Sequence, residues 1–327
     1  MKRLMIYFIY DKDGIVDNYI PYFLSSFKPY CEEICIVVNG FLTEESKQKL
    51  EKVSSQILIR ENKGLDVGAY KYGLNHYGFK NIKENFDEVI LTNFTLFGPC
   101  FPLDDMFKNI EEQDCDWWAP FKWYIKLHNF RHMPSFFNVY KKRIISSDYF
   151  EKYWNNLPEI LTYADSCSKH EQIQTKHWQN LGFKEGVWID DSKYKDFWND
   201  RWPLQCADRL IKEDHYPFIK RRCFYTEECF ICKQFELVKN VIDFLENNTN
   251  YDIGLIFENL KRTQDFNTQV FLDFKLIKAF LLQKIHPKKE NRNKYKKRIN
   301  YFFNHSKYVI LLKEMIKDYN DKENRRG

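Results

Sequence analysis

Four short apolar runs in the first third of the chain constrain it most: RLMIYFIY (3–10), EICIVVN (33–39), QILIRE (56–61) and DEVILTN (87–93). Each has the length and the β-branched and aromatic content of a buried strand. Between them lie stretches with helical spacing, VDNYIPYFLSSFKPYC and then TEESKQKLEKVSS, the latter with Thr43 placed to cap it. Strand and helix alternating in this way predict an α/β fold, a mostly parallel sheet with helices on both faces. Ligands of such sheets bind beyond the carboxyl ends of the strands. Those ends bring Tyr10 and Asp11, Asn39 and Gly40, Glu61 and Asn62, and Thr92 to Thr95 to one edge.

After residue 98 the alternation stops. PLDDMFKNIEE reads as a short helix, DCDWWAPF as an aromatic strand or loop, and PSFFNVYKKRIISSDYFEKYWNNL as a strand turning into a helix. Residues 165–182 read as a further helix, and YPFIKRRCFY (216–225) as a strand near a basic bend. From about residue 228 nearly everything reads helical, which divides the 327 residues into a domain over 1–227 and a helical C-terminal region over 228–327.

Composition narrows the function classes. The formal charge is only +5, from 51 Lys and Arg against 46 Asp and Glu, too mild to argue for a nucleic-acid partner. Aromatic residues make up 18% of the chain, more than a core alone demands, so some Trp and Tyr are expected to face a ligand or a partner. Nine cysteines, an odd number, and a start that runs quickly into charge point to reduced thiols and a cytoplasmic protein. Cys206, Cys223, Cys229 and Cys232 include one C-x-x-C, but their spacing fits no zinc ribbon. The longest apolar run near the C-terminus, YVILL, is far below the ~20 residues of a spanning helix. The stretch KIHPKKENRNKYKKRINYFF carries Lys288, Lys289, Arg292, Lys294, Lys296, Lys297 and Arg298 against Glu290 alone. It suits either an anionic membrane surface or a solvated helix face.

The stretch ENKGLDVGAYKYGL, after the third strand, raises the question of a ligand. Gly64, Gly68 and Gly73 do not give the dinucleotide spacing G-x-G-x-x-G, so a simple dehydrogenase loses its main support. The segment is similar instead to the pattern following the third strand in nucleotide-sugar glycosyltransferases of the A-type fold. Its glycines allow close approach to a nucleotide, and the helix it opens favours a diphosphate. Two further segments support this: EVILTNFTLFGPCFPLDDMF, where such enzymes carry metal-binding aspartates, and KHEQIQTKHWQNLGF (169–183), a helix with the acidic Glu171 at its start.

More narrowly, the chain resembles the rhamnan synthesis protein F family of bacterial polysaccharide transferases over roughly residues 1–225. The family's G-R-D-I-G is matched by Gly64, Leu65, Asp66, Val67 and Gly68, and its T-N-D-S-x-x-G-P by Thr92, Asn93, Phe94, Thr95, Gly98 and Pro99. Its D-F-W-G corresponds to Asp116, Trp117, Trp118 and Ala119, and its H-x-Q-S-Y-F to His132, Met133, Pro134, Ser135, Phe136 and Phe137. Its Y-E-V-x-x-T corresponds to His170, Glu171, Gln172 and Thr175, and PFIKRRCF resembles a further basic segment.

The resemblance implies an inverting transferase with Glu171 as base and Gly64, Asp66, Asn93 and Thr95 around the donor; the strand-end rule adds Tyr10, Asn39 and Asn62, and the charge of a leaving diphosphate adds Lys220 and Arg221. The resemblance places Trp117, Trp118, His132 and Ser135 on the acceptor side. dTDP-rhamnose is the implied donor, with UDP-galactofuranose or a UDP-hexose as alternatives. A lipid-linked glycan at the inner face of the cell membrane is the implied acceptor. Two departures stand out. Phe94 replaces the aspartate that usually binds Mg2+ or Mn2+, leaving Asp66 to supply a carboxylate to a metal or to ribose, and Pro134 replaces a glutamine. Phe94 also keeps open a non-catalytic scaffold role, and Asp66 and Glu171 each keep the alternative of a helix-terminal carboxylate.

Overall fold

A computed structural model describes residues 1–125, 129–197, 201–225, 235–264 and 313–321. Its central sheet is built from β1 (Arg3–Tyr10), β2 (Glu33–Asn39), β3 (Gln56–Arg60), β4 (Glu88–Asn93), β6 (Trp117–Ala119), β9 (Phe137–Lys141) and β10 (Glu185–Val187). Two small antiparallel pairs lie outside it: β5 (Leu96–Phe97) with β11 (Ile219–Lys220), and β7 (Trp123–Ile125) with β8 (Phe130–His132). The order across the main sheet is β3, β2, β1, β4, β9, β6, β10, with β9 the antiparallel member. This is the expected α/β architecture with a mostly parallel sheet, the helical segments before and after β2 returning each strand in parallel register.

The first four strands read as continuous apolar runs because the sheet is covered on both faces. Alternate residues of β1 go to opposite sides: Met5, Tyr7 and Ile9 join one core, while Leu4, Ile6 and Phe8 join the other. Helices Tyr19–Phe27 and Asp104–Glu111 cover the first face, and Leu65–Tyr77, Phe79–Asn85 and Asp148–Asn155 the second. Gly73 permits a close approach of its helix to β1, since a Cβ there would stand 2.7 Å from Ile6 Cγ2. Thr43 caps its helix as expected, its hydroxyl accepting from Ser46 N at 3.2 Å.

Beyond residue 228 the described chain is helical, as Phe235–Asn248, Gly254–Thr263 and 313–321. Val238, Val241, Ile242, Leu245, Ile256, Phe257 and Leu260 enter the same core as the first sheet face. Arg262 also binds Asp11 and Asp17 at 2.7 and 2.8 Å. Cys206 and Cys223 are buried in this core. Cys229, Cys232 and the basic stretch 284–303 lie outside the described residues. Among the described residues no helix is long and apolar enough to cross a membrane.

One expectation is corrected. YPFIKRRCFY forms a strand only at Ile219–Lys220 and then tightens into a 3-10 turn, Arg221–Phe224, because its partner β5 is itself two residues long.

Candidate functional site

The carboxyl ends of β1 to β4 meet at one edge, and three later segments return to it for identifiable reasons. β9 runs antiparallel to β4 with Phe137 opposite Thr92, so the preceding residues 132–136 start beside the end of β4. Pairing of Lys220 with Leu96 brings β11 alongside the turn after β4, where Arg221 N donates to Thr95 O at 2.9 Å. The helix from Tyr163 to Asn180 is pinned to the 132–136 segment by Met133 N donating to Thr175 Oγ1 (3.0 Å) and Gln174 Nε2 donating to Met133 O (3.3 Å).

A continuous chain of polar contacts results. Lys220 Nζ donates to Thr95 Oγ1 (2.8 Å), and Thr95 Oγ1 donates to Asn93 Oδ1 (2.5 Å). Asn93 Nδ2 faces Asp66 Oδ2 (3.4 Å) and Tyr70 Oη (3.2 Å). Ser135 Oγ lies 2.7 Å from both Asp66 Oδ2 and Glu171 Oε1, and Ser135 N donates to the same Glu171 oxygen at 2.8 Å. His132 Nε2 faces Glu171 Oε2 at 3.7 Å. Thus Asp66, Asn93, Thr95, His132, Ser135, Glu171 and Lys220 converge.

The Ser135 hydroxyl has one proton to give. With carboxyl oxygens 2.7 Å away on both sides, one of the two contacts needs a proton from a carboxyl group. Burial and the Glu171 charge raise the Asp66 pKa above its usual range. Burial also acts to raise Glu171, but His132 and the two Ser135 donors outweigh it and hold Glu171 down at about 2. The two carboxyl groups are thus coupled, Asp66 being the more readily protonated of the pair and Glu171 the ionised one. Lys220 completes the electrostatics: burial lowers its pKa to about 7 against the pull of the Glu171 and Asp66 charges, and its ammonium sits 3.7 Å from the centre of the Phe136 ring.

The local conformation around Glu171 departs from the expected helix. The helix starts at Tyr163, capped reciprocally by Thr162 and Asp165, so Glu171 lies two turns inside rather than at the start. Stabilisation of a first-turn carboxylate by the helix dipole is thereby removed as its explanation. Residues Ser166–Glu171 form a π-helical stretch, a feature frequent at functional sites. Its wider turn brings residues five apart into line, and both Ser166, through its hydroxyl on Asp66 Oδ1 (3.2 Å), and Glu171 reach the same cluster. His170 anchors this stretch, buried with Nδ1 2.9 Å from Tyr153 Oη and its pKa lowered to about 4 by burial. A histidine that charges at 6.5 when unfolded and at about 4 when folded contributes stability fully above pH 6.5, which is lost as pH falls toward 4. Denaturant titrations at pH 7.5 and 5.0 are expected to show a loss of about 2 kcal/mol from this group, removed in H170Q.

Other expected site residues have structural roles. Asn39 is fully buried and holds the loop after β3: its amide accepts from Arg60 Nη1 at 3.3 Å and donates to Asn62 Oδ1, Lys63 O and Leu65 O at 3.4 Å. Gly64 ends that loop at φ +74°, where only glycine sits without strain. Tyr10 is 36% exposed at the end of β1. Arg221 turns inward, donating to Tyr19 Oη (2.9 Å) and Phe94 O (3.4 Å) between the rings of those residues, and its guanidinium does not face the cluster. The assignment of Trp117 and Trp118 to the acceptor is corrected. Both are fully buried, one in each core, Trp117 stacked on Tyr140 and Trp118 against Phe107 and Phe137. Conversely, Tyr70, Phe136 and Ser166 contact the cluster without being expected. The sequence signals among them are Tyr70, one helical turn after Asp66, and Phe136, which follows Ser135 in the H-x-Q-S-Y-F match.

Mg2+ or Mn2+ does not fit these residues in the usual way, which needs several free carboxylate oxygens. The position at the end of β4 carries the Phe94 ring, edge-on to Phe8 at 5.5 Å. Asp66 Oδ1 accepts from Val67 N (2.9 Å) and Ser166, and its Oδ2 is taken by Ser135 and Asn93, so it has no oxygen to spare for an ion. Among the described residues no group of three His, Cys, Asp or Glu side chains is arranged to hold a metal.

Comparison with curated proteins finds no match. Similar solved structures include a mannosyltransferase from Pyrobaculum calidifontis in complex with GDP-Man and Mn2+ (8% identity, TM-score 0.39, 94% of this chain and 87% of that one). Others are a cytidylyltransferase from Leptospira borgpetersenii serovar Hardjo-bovis (12%, 0.37, 77% and 98%) and core-mannan synthase A from Aspergillus fumigatus in its Mn/GDP form (8%, 0.29, 47% and 63%). At such distances these likenesses carry no argument about chemistry. The sequence itself is decisive: rhamnan synthesis protein F matches residues 34–324, the greater part of the chain, and the protein belongs to that family.

Proposed function

We propose that the protein transfers a sugar from a nucleoside-diphosphate donor to a hydroxyl of a glycan, with inversion at the anomeric carbon. The observation that carries this reading is the convergence of an ionised Glu171, the Ser135 bridge to Asp66 and the Lys220 ammonium at the carboxyl edge of the sheet. Glu171 takes the proton of the acceptor hydroxyl as its oxygen bonds to the anomeric carbon. The bond to the diphosphate breaks, its electron pair passing to the diphosphate oxygen. A carboxylate with a pKa of about 2 is a weak base at rest. It suffices because the attacking oxygen becomes strongly acidic only as its new bond forms, and Glu171 is ionised at every physiological pH. Asn93, Thr95 and Lys220 face the donor side, and His132 flanks the base on the acceptor side.

Within this reading the preferred donor is dTDP-rhamnose and the preferred acceptor a lipid-linked polysaccharide precursor at the inner membrane face, both supported by family membership. Incubation with dTDP-rhamnose, UDP-galactofuranose and UDP-hexoses, followed by NMR of the released sugar or product, tests it. Turnover of one donor with inverted anomeric configuration is the expected result. Absence of turnover and of nucleotide binding with all of them would leave a scaffold of polysaccharide assembly.

A further inference from the structure

Lys220 is the basic group of the cluster, yet within 4 Å it has no carboxylate partner among the described residues. Its one hydrogen bond goes to the neutral Thr95 hydroxyl, and its other close neighbour is the Phe136 ring at 3.7 Å. An ammonium in a shielded place with neutral partners is costly unless an anion completes it. Asp66 and Glu171 do not do so, because Ser135 ties each to the other. The same ties leave them unable to receive a divalent ion, and Phe94 fills the place of a third carboxylate. The cluster thus lacks a cation site and has an ammonium in want of an anion.

We propose that the diphosphate of the donor is held by the Lys220 ammonium in place of a divalent cation, so that donor binding and transfer are independent of metal. This rests on the transferase reading above. In the transfer step the bond from anomeric carbon to diphosphate oxygen breaks and its electron pair stays on that oxygen. The acceptor oxygen bonds to the carbon, and the acceptor proton goes to Glu171. Lys220 gives up no proton; it donates a charge-assisted hydrogen bond to the oxygens that gain charge. Thr95 and Asn93 keep the ammonium in place. The groups that face it are Asp66, Glu171, Cys223 and Arg222, the first two favouring its charge and Arg222 opposing it. With its pKa lowered to about 7, Lys220 is only partly charged near neutral pH, and a bound diphosphate draws a proton onto it from solution, more so as the pH rises.

Calorimetric titration of the full chain with dTDP, UDP, GDP and CDP, in EDTA and in Mn2+, tests the proposal. The expected result is binding of at least one nucleotide, with equal affinity within about twofold in both conditions. That affinity should weaken as pH rises from 6.5 to 8.5, by up to about tenfold per unit above 7. K220M is expected to lose at least about tenfold in affinity at pH 6.5 and to show no such pH dependence. Binding that needs Mn2+, or tightens more than about tenfold with it, overturns the proposal while the transferase reading stands. Unchanged affinity in K220M overturns it likewise. Binding of no nucleotide in either condition overturns the transferase reading itself.

Discussion

Replacing Glu171 by Gln is expected to lower kcat by about 10²- to 10⁴-fold, the range of a lost general base, while leaving nucleotide affinity within a few-fold. The geometry makes this substitution clean. Glu171 is contacted by Ser135 N, Ser135 Oγ and His132, none of which lies on the donor side, and a Gln side chain keeps an oxygen for the Ser135 amide. Burial, the larger cause of the raised Asp66 pKa, stays, but removing the charge removes the Glu171 repulsion that adds to it, so Asp66 moves back toward its usual range and is no longer coupled to a second carboxylate. The pH profile of the residual turnover therefore loses the ionisation that belongs to the pair. Wild-type turnover in E171Q, measured with the donor identified by screening, would remove Glu171 from the chemistry and point to Asp66 as the base. If the wild type turns over no donor and the variant supports glycan assembly equally well, the scaffold reading is correct.

Trp118→Ala is expected to destabilise the protein by about 3–5 kcal/mol, the cost of emptying a large aromatic site in a packed core. Trp118 is fully buried between Phe107 and Phe137, whose ring centres lie 6.2 and 5.7 Å away, and it links the helix Asp104–Glu111 to the sheet. The adjacent Trp117 points into the opposite core, so W117A has a similar expected cost by a separate route. Guanidinium unfolding monitored by far-UV circular dichroism measures both. The acceptor KM of each variant is expected to match the wild type below its unfolding temperature. A raised acceptor KM at unchanged stability would return these residues to the acceptor side.

These two tryptophans show where sequence reading stops. A pair of neighbouring residues in a strand faces opposite sides of the sheet, and the WW of DCDWWAPF suits a ligand edge as well as a core. Only the covering of both faces decides for the core. Lys220 and Arg221 differ for a related reason: they are equally basic in sequence, but only Lys220 points to the cluster while Arg221 binds Tyr19 and Phe94. By contrast, the strands at 3–10 and 33–39 are found where the apolar runs place them, because burial on both sides makes the run and the strand coincide. Asp66 and Asn93 could be placed at this edge from the sequence because they follow or end apolar strands, whereas Glu171 was singled out as the acidic residue of a helix matched to the family's Y-E-V-x-x-T.

The sequence by itself therefore determined the alternating elements, the sheet edge at which the polar side chains gather, and most of the residue types found there. Tertiary structure alone decided how they act together. One Ser135 hydroxyl joins carboxyl groups 69 and 36 residues away, and one two-residue strand pair places Lys220 on a threonine 125 residues earlier. Local patterns encode burial and backbone preference, which are short-range properties. Which proton is shared, and which ammonium lacks a carboxylate, depends on distances that exist only once the sheet has brought remote segments together.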